Sequence, residues 1–297
     1  MRTLHTIAEL RAALSEPRRN GSRIGLVPTM GAFHDGHLSL MRRARADCDV
    51  VVVSLFVNPA QFNDASDLAA YPRDEGRDAL LAADTQADFL FAPPVEEVYR
   101  DGFATTVSVT GLTEVLEGAQ RGRSHFDGVA TVVTKLFNMV GPDVAYFGQK
   151  DAQQAIVIRR FVRDLNMQVE IETCPTVREP DGLAMSSRNV HLSPTERLQA
   201  TALHRALDAA AALVAAGETD VDVAIAAAHA ELDAAEVSTE YFQIVNRETL
   251  APIKTIEGPA LALVAARVGS TRLIDNQQLT TAERVAGSGD LQAAGSN

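Results

Sequence analysis

Apolar residues along this chain fall in short blocks whose period switches repeatedly between that of a strand and that of a helix. Residues 49–57 carry β-branched side chains without alternation, the pattern of a parallel strand buried on both faces, and predict a central place in a sheet. Residues 23–27 read as a short apolar strand broken by Pro28, and beyond a glycine-bearing loop Leu38, Leu40, Met41 and Ala44 recur at helical spacing. Nearer the amino end, Thr6-Ile7-Ala8-Glu9 has the spacing of a capping box and predicts a helix to about Ser15. Downstream the pattern predicts a helix over 74–83, a strand over 88–92 ended by Pro93 and Pro94, and another β-branched strand over 105–110. A helix over 129–140, a strand over 144–147, a helix over 152–164 and a strand over 168–174 follow. Strands alternating with helices imply an α/β fold, a Rossmann-like parallel sheet with right-handed crossovers.

After Pro175 the texture changes. Ser193-Pro194 has the form of an N-cap with proline at the first helical position, two alanine-rich helices are expected over 195–216 and 221–235, and residues 241–245, 261–268 and 271–274 are strand-like. Leu203, Leu207 and Leu213 give the first of these helices a packing stripe, so it reads as a core helix and not as low complexity. The expected organisation is a parallel-sheet domain over 1–176, a smaller α+β, lid-like carboxyl-terminal domain over 177–280, and a small, polar, flexible tail over 281–297. A length of 297 residues suits two such domains at roughly 100 to 200 residues each.

Composition narrows the function. Hydrophobic residues make up 46% and charged residues 22%, enough for an ordinary buried core, so wholesale disorder is excluded. Against 27 Lys and Arg stand 39 Asp and Glu, a net charge of −12 that repels nucleic-acid backbones and anionic lipid over most of the surface. No apolar run approaches the roughly 18 residues of a membrane span, and the amino-terminal residues lack the apolar core of a secretory signal, so a cytoplasmic protein is expected. Cys48 and Cys174 read as buried thiols. A local basic site for a small anion remains compatible with all of this.

The chemistry-bearing residues sit where strands end. Pro28-Thr29-Met30-Gly31-Ala32-Phe33-His34-Asp35-Gly36-His37 lies between a strand and a helix, where free N–H groups and the helix dipole favour phosphate. His34 and His37 are three apart, so both rings can face one ligand. Surface or capping histidines are the plain alternative. Zinc would call for the spacing of four with an adjacent glutamate, which is absent, and no glycine-lysine-serine/threonine run makes a Walker loop here. A second turn, Phe147-Gly148-Gln149-Lys150-Asp151 with Gln153 and Gln154, again joins strand to helix, with Lys150 either solvated or a point charge for phosphate. Met185-Ser186-Ser187-Arg188-Asn189 reads as a hydrophilic linker or as an anion clamp of two hydroxyls and a guanidinium. Asn58-Pro59-Ala60-Gln61-Phe62 is a polar turn or a substrate-reading amide, and Arg121-Gly122-Arg123-Ser124-His125-Phe126 is basic against an acidic background.

Taken in order, residues 28–37, 58–62, His125-Phe126, 147–154 and 185–189 resemble the motif set of the pantothenate synthetase family, and residues 241–276 resemble its carboxyl-terminal domain more loosely. His34-Asp35-Gly36-His37 also resembles the His-Ile-Gly-His signature of the wider adenylyl-transferring superfamily, and Met185-Ser186-Ser187-Arg188 its lysine-serine loop.

The resemblance implies a homodimeric cytoplasmic ligase of pantothenate biosynthesis that takes ATP with Mg2+, pantoate and β-alanine, and releases AMP and pyrophosphate through a pantoyl-adenylate. By the same resemblance Met30, Gly31, Ala32, Phe33, His34, Asp35, Gly36 and His37, with Gly148, Gln149, Lys150 and Asp151, surround ATP. His34 and His37 lie at the phosphates, with His37 the proton donor. Lys150 and Arg188, with Ser186 and Ser187, hold the departing pyrophosphate, and Val177 and Met185 seat the adenine. Gln61 and Gln154 read pantoate, and Asp78 is the candidate near magnesium. Residues 119–124 and Leu81 depart from the family's usual pattern, which bears on Arg121, Arg123 and any metal at Asp78. A different adenylyltransferase and a non-catalytic ATP-binding regulator are the competing classes. The first would lack the Gln61 and Gln154 pair, and the second would not turn ATP over.

Overall fold

The structure is a computed structural model that describes residues 1–62 and 65–280, without the side chains of Ala65 and Asp67. The tail expected over 281–297 lies outside the described residues. The chain divides into two units, Met1–Val177 with Met185–Ser187, and Arg178–Ala184 with the residues from Arg188 onward. The break expected after residue 176 therefore falls in a segment where the chain passes between units three times.

The first unit opens with β1 (Arg2–Leu4) and α1 (Ile7–Arg19), whose Thr6–Glu9 capping box is present. This helix runs past Ser15 and through Pro17. Only one backbone donor is lost there, near an end held by Arg18, whose guanidinium donates to the Val140 carbonyl. Next come β2 (Ile24–Thr29), α2 (Asp35–Asp47), β3 (Val50–Leu55), α3 (Ala65–Ala70), α4 (Glu75–Asp84), β4 (Phe89–Phe91), α5 (Val95–Val98) and α6 (Glu117–Arg121). The unit closes with α7 (Arg123–Val140), β5 (Val144–Gly148), α8 (Ala152–Asp164) and β6 (Glu170–Cys174). Its six strands form one sheet in the order β1-β4-β3-β2-β5-β6, every neighbour parallel. Val27, Val51, Val53, Leu90 and Tyr146 meet α2 residues Leu38, Met41 and Ala44 on one face, while α7 and α8 pack against β2, β5 and β6. Both faces are covered, which is why β3 shows no alternation. Both cysteines are buried thiols.

Three expectations for this unit need correction. Pro28 does not break β2 but lies within it, opposite Ser54 of β3 and beyond the stretch paired with β5, so its missing donor costs no ladder bond on that side. Residues 105–110 form no strand: they are mostly exposed, and the Val107 N–H donates to the Thr131 hydroxyl at 2.9 Å. A β-branched run becomes a strand only beside another one. Lastly, α7 begins six residues before the predicted start, because the polar first turn Arg123-Ser124-His125 hides the apolar period.

The second unit holds α9 (Pro194–Ala200), α10 (Ala202–Ala215), α11 (Val221–Ala234) and an antiparallel meander of β7 (Ser238–Asn246), β8 (Ala260–Val268) and β9 (Thr271–Leu279). Leu203, Leu207, Ala210, Ala228 and Leu232 of the helices pack on Ala262, Val264, Ala266 and Leu273 of the sheet. The helix expected over 195–216 is divided at Thr201, whose hydroxyl donates back to the Leu198 carbonyl at 2.7 Å. The strand expected to stop at 274 continues to Leu279 through the buried polar pair Asp275 and Asn276. Arg178 makes that burial tolerable by gripping both Asp275 oxygens, at 2.6 and 3.2 Å. No helix among the described residues is long and apolar enough to cross a membrane.

Gly128 of α7 lies so close to the turn at 59–61 that a Cβ there would stand 2.2 Å from the Ala60 carbonyl oxygen. Backbone cannot yield as a side chain does, so Gly128→Ala is expected to lower the urea unfolding free energy by about 1–3 kcal/mol. An unchanged midpoint would show that the contact is slack.

Candidate functional site

From β2 the chain travels outward to β3 and β4, then returns to the other side of β2 as β5. The β2–β5 boundary is thus the switch point at which parallel sheets take ligands. β2 pairs with β3 from Ile24 to Thr29 but with β5 only at Gly25 and Leu26, so the strands part beyond Leu26. Residues 30–37 and 148–151 follow those two strands and flank the opening.

The first segment is held from below. Asp78, in the first turn of α4, is 1% exposed. Its Oδ2 accepts the Ala32 N–H and its Oδ1 the Phe33 N–H, both at 2.8 Å. Gly31 has φ +92°, and a Cβ there would meet Leu55 Cδ1 at 2.6 Å and Asp78 Oδ2 at 2.9 Å, so only glycine fits. The sequence reading puts Asp78 near magnesium; the structure turns both of its oxygens to this loop. Arg77 and Leu81 beside it add no anionic ligand. Among the described residues, no group of three His, Cys, Asp or Glu side chains is placed to hold a metal ion.

The head of α2 then determines the state of both imidazoles. His34 is the N-cap, and its Nδ1 accepts the Gly36 N–H at 3.2 Å. In return the His34 N–H points at Nδ1 of His37, at a long 3.4 Å, which makes a capping box of two histidines. A nitrogen that accepts carries no proton, so each neutral ring bears its hydrogen on Nε2. The rings lie 4.2 Å apart by centroid, and Phe33 packs 5.6 Å from His37. Burial, reinforced by His34 and Lys150 and opposed by Asp151, pulls His37 down to about 3 from its ordinary 6.5. At neutral pH it is an uncharged Nε2–H donor. A neutral imidazole in this state gives a hydrogen bond from Nε2.

A third imidazole has the opposite polarity. His125, in the first turn of α7, donates from Nδ1 to the Gln61 carbonyl oxygen at 2.8 Å, which leaves Nε2 bare. Burial lowers its pKa, against the pull of that bond, and it shares the field of Asp151 with His37. Gln61 is fixed by Asn58, a fully buried residue. The Asn58 amide donates to Gln61 Oε1 at 2.9 Å and to the Gly128 carbonyl at 3.1 Å, while its oxygen accepts from the Tyr99 hydroxyl at 2.9 Å. Asn58 is therefore a site residue that the pattern reading mentioned but gave no role. Its signal was present, since Asn58-Pro59 is an N-cap followed by proline at N1.

At the second strand end, Gly148 has ordinary extended backbone and a Cβ there would meet nothing within 4 Å. Neither conformation nor packing asks for glycine at that point, so the missing side chain leaves room above the backbone. Lys150 and Asp151 lie in the short 3-10 turn that follows. Gln153 faces inward and pins residues 112–117 by three hydrogen bonds, whereas Gln154 is half-buried one position on. Arg121 pairs with Glu117 at 3.0 Å and Arg123 with Ser108 and Asp127, so both are engaged locally.

The structure thus gathers His34, His37, Lys150, Asp151, His125, Gln61 and Asn58 within the first unit. Met185 and Val177, expected at the adenine, are joined by a backbone hydrogen bond of 2.9 Å in the same unit, and Ser186 and Ser187 belong to it as well. Arg188 belongs to the second unit. There Asn189 donates to Glu179 Oε1 at 2.6 Å and to the Ala184 carbonyl at 3.1 Å, and Arg197 pairs with Glu179 and Asp181.

The chain is similar to known proteins over most of its length. The family model described as pantoate-beta-alanine ligase matches residues 2–278. The pantothenate synthetase of Moorella thermoacetica is 54% identical over 93% of this chain and 98% of its own length. The crystal structure of pantothenate synthetase from Thermus thermophilus superposes with a TM-score of 0.88 at 51% identity, covering 93% of this chain and 99% of that one. Pantoate-beta-alanine ligase from Francisella tularensis, complexed with beta-gamma ATP and beta-alanine, gives 0.77 at 32% identity over 93% and 97%.

The depressed pKa of His37 has a stability consequence. Between pH 6.5 and about 3 the unfolded chain binds a proton at this ring that the folded chain refuses, so stability falls as pH falls through that window. Urea titrations across it should give a shallower decline for His37→Asn than for the parent chain. Equal slopes would mean that the ring protonates freely in the folded state.

Proposed function

The chain belongs to the pantoate–β-alanine ligase family, and on that premise we propose how its residues divide the work of joining pantoate to β-alanine with ATP. The pantoate carboxylate, already ionised at neutral pH, attacks the α-phosphorus and pyrophosphate leaves. The amine of β-alanine then attacks the acyl carbon of the pantoyl-adenylate, and AMP leaves. Neither departure needs a strong acid. Each needs alignment, and donors aimed at charge on phosphate oxygens.

The observation that carries this reading is the pair of imidazoles at the β2–β5 switch point, each held by the backbone with Nε2–H outward. We assign His34 and His37 to the phosphates as Nε2–H donors. Residues 30–37 and 148–151 line the nucleotide, Lys150 supplies its point charge to the pyrophosphate, and Ser186, Ser187 and Arg188 complete that hold. Val177 and Met185 seat the adenine. Gln61, braced by Asn58, and Gln154 read pantoate. The nucleotide's phosphate oxygens would hold magnesium, being hard ligands of the kind it prefers, and the ion would offset charge on them. A cytoplasmic homodimer belongs to the same proposal. The exposed residues Thr105, Thr106, Ser108 and Thr110, in no sheet among the described residues, are the surface we assign to the contact between copies.

Removing one preorganised donor to developing charge typically costs about 3 kcal/mol, on the order of a hundredfold in rate. His37→Ala and Lys150→Ala are each expected to slow pantoate-dependent exchange of labelled pyrophosphate into ATP by at least about that factor, with the fold intact by circular dichroism. Parent-like exchange in either variant would remove that residue from the adenylation step. Transfer of AMP to a phosphate acceptor with no pantothenate formed would replace the ligase reading altogether.

A further inference from the structure

We infer that Asp78 is the positioning residue of the nucleotide loop: by taking the Ala32 and Phe33 N–H groups, its buried side chain sets where the His34 and His37 imidazoles stand. The inference rests on the proposed assignment of those rings to phosphate.

Gly31 and Ala32 both have positive φ, +92° and +53°, a bend that turns the successive N–H groups of Ala32 and Phe33 to one carboxylate. Ala32 has a Cβ and would leave that conformation unless something held it. Asp78 is what holds it, one oxygen to each donor at 2.8 Å. A cavity of about 270 Å³ bordered by Met30, Leu55, Asp74 and Asp78 lies on this side of the loop. The neighbouring Arg77 reaches the other end of the same residue, with Nη2 at 3.5 Å from the Phe33 carbonyl oxygen. Two consecutive residues of α4 therefore address one loop residue from both of its backbone groups. A shift at Phe33 has a short path onward. Its ring packs on His37, and the next N–H is the His34 donor that faces His37 Nδ1.

Two acceptors are required at Asp78, and this makes the claim testable. Asp78→Asn keeps the volume but can accept at one oxygen only, and its amide would face the other backbone N–H donor to donor. The two half-reactions separate positioning from folding: pantoate-dependent pyrophosphate exchange needs the full triphosphate aligned, whereas preformed pantoyl-adenylate with β-alanine does not. Asp78→Asn is expected to lower exchange by about a hundredfold, the loss typical of misplacement by about an ångström, and to lower amide formation far less. Gly31→Ala presses the same contact from the loop side, and carries the test should Asp78→Asn not fold. Equal losses in the two half-reactions would overturn the inference in favour of a general structural role. Recovery of exchange at saturating magnesium would overturn it in favour of a metal ligand. Undiminished exchange in Asp78→Asn, with His37→Ala impaired, would also overturn it and leave the phosphate assignment standing. If His37→Ala were undiminished as well, the assignment beneath it would fall.

Discussion

A helix cannot begin without leaving backbone N–H groups that need acceptors, and the proposed nucleotide site is built from the acceptors found at the head of α2. Ala32 and Phe33 use the buried carboxyl group of Asp78, Gly36 uses the ring of His34, and His34 uses the ring of His37. Each histidine that accepts at Nδ1 must present a hydrogen at Nε2. One elementary requirement of backbone satisfaction therefore settles loop shape, ring orientation and tautomer together. Burial completes it by keeping His37 uncharged, so that the site offers directed donors. Positive charge comes separately, from the nearby Lys150.

The sheet decides where those donors point. Strand order places β2 beside β5 although more than a hundred residues separate them, and the two strands pair over only two residues before they diverge. Past that divergence the turn after β5 brings Lys150 and Asp151 near enough to act on the charge of His37. His125, from α7, has the reverse polarity: Nδ1 is committed to Gln61 and Nε2 is left as an acceptor. A net charge of −12 is compatible with the proposed anion site, because a few fixed N–H groups and one ammonium would act at contact distance while the acidic surface is screened by solvent.

Much of the fold was legible because it follows from local rules. The unalternating run at 49–57 marked a strand covered on both faces, the Thr6–Glu9 spacing and the Ser193-Pro194 pair marked helix starts, and α8 followed from its apolar period. The misreadings share a cause. Residues 105–110 have strand chemistry but no neighbouring strand, Pro28 is tolerated because the pairing of β2 with β5 has already ended before it, and β9 hides its last residues in polar side chains that Arg178 makes burial-compatible. In each case the outcome depends on a group distant in sequence.

The same line divides the site. By itself the sequence determined which family the chain belongs to and which segments the proposed chemistry draws on, since motif identity and spacing are properties of neighbours along the chain. It could not determine that Asp78 serves the loop at 32–33, that Asn58 braces Gln61, or that His125 and His37 hold their protons on different nitrogens. Those depend on which acceptor lies within about 3 Å of which donor, and only the packing of α4 and α7 against the strand ends brings such groups together.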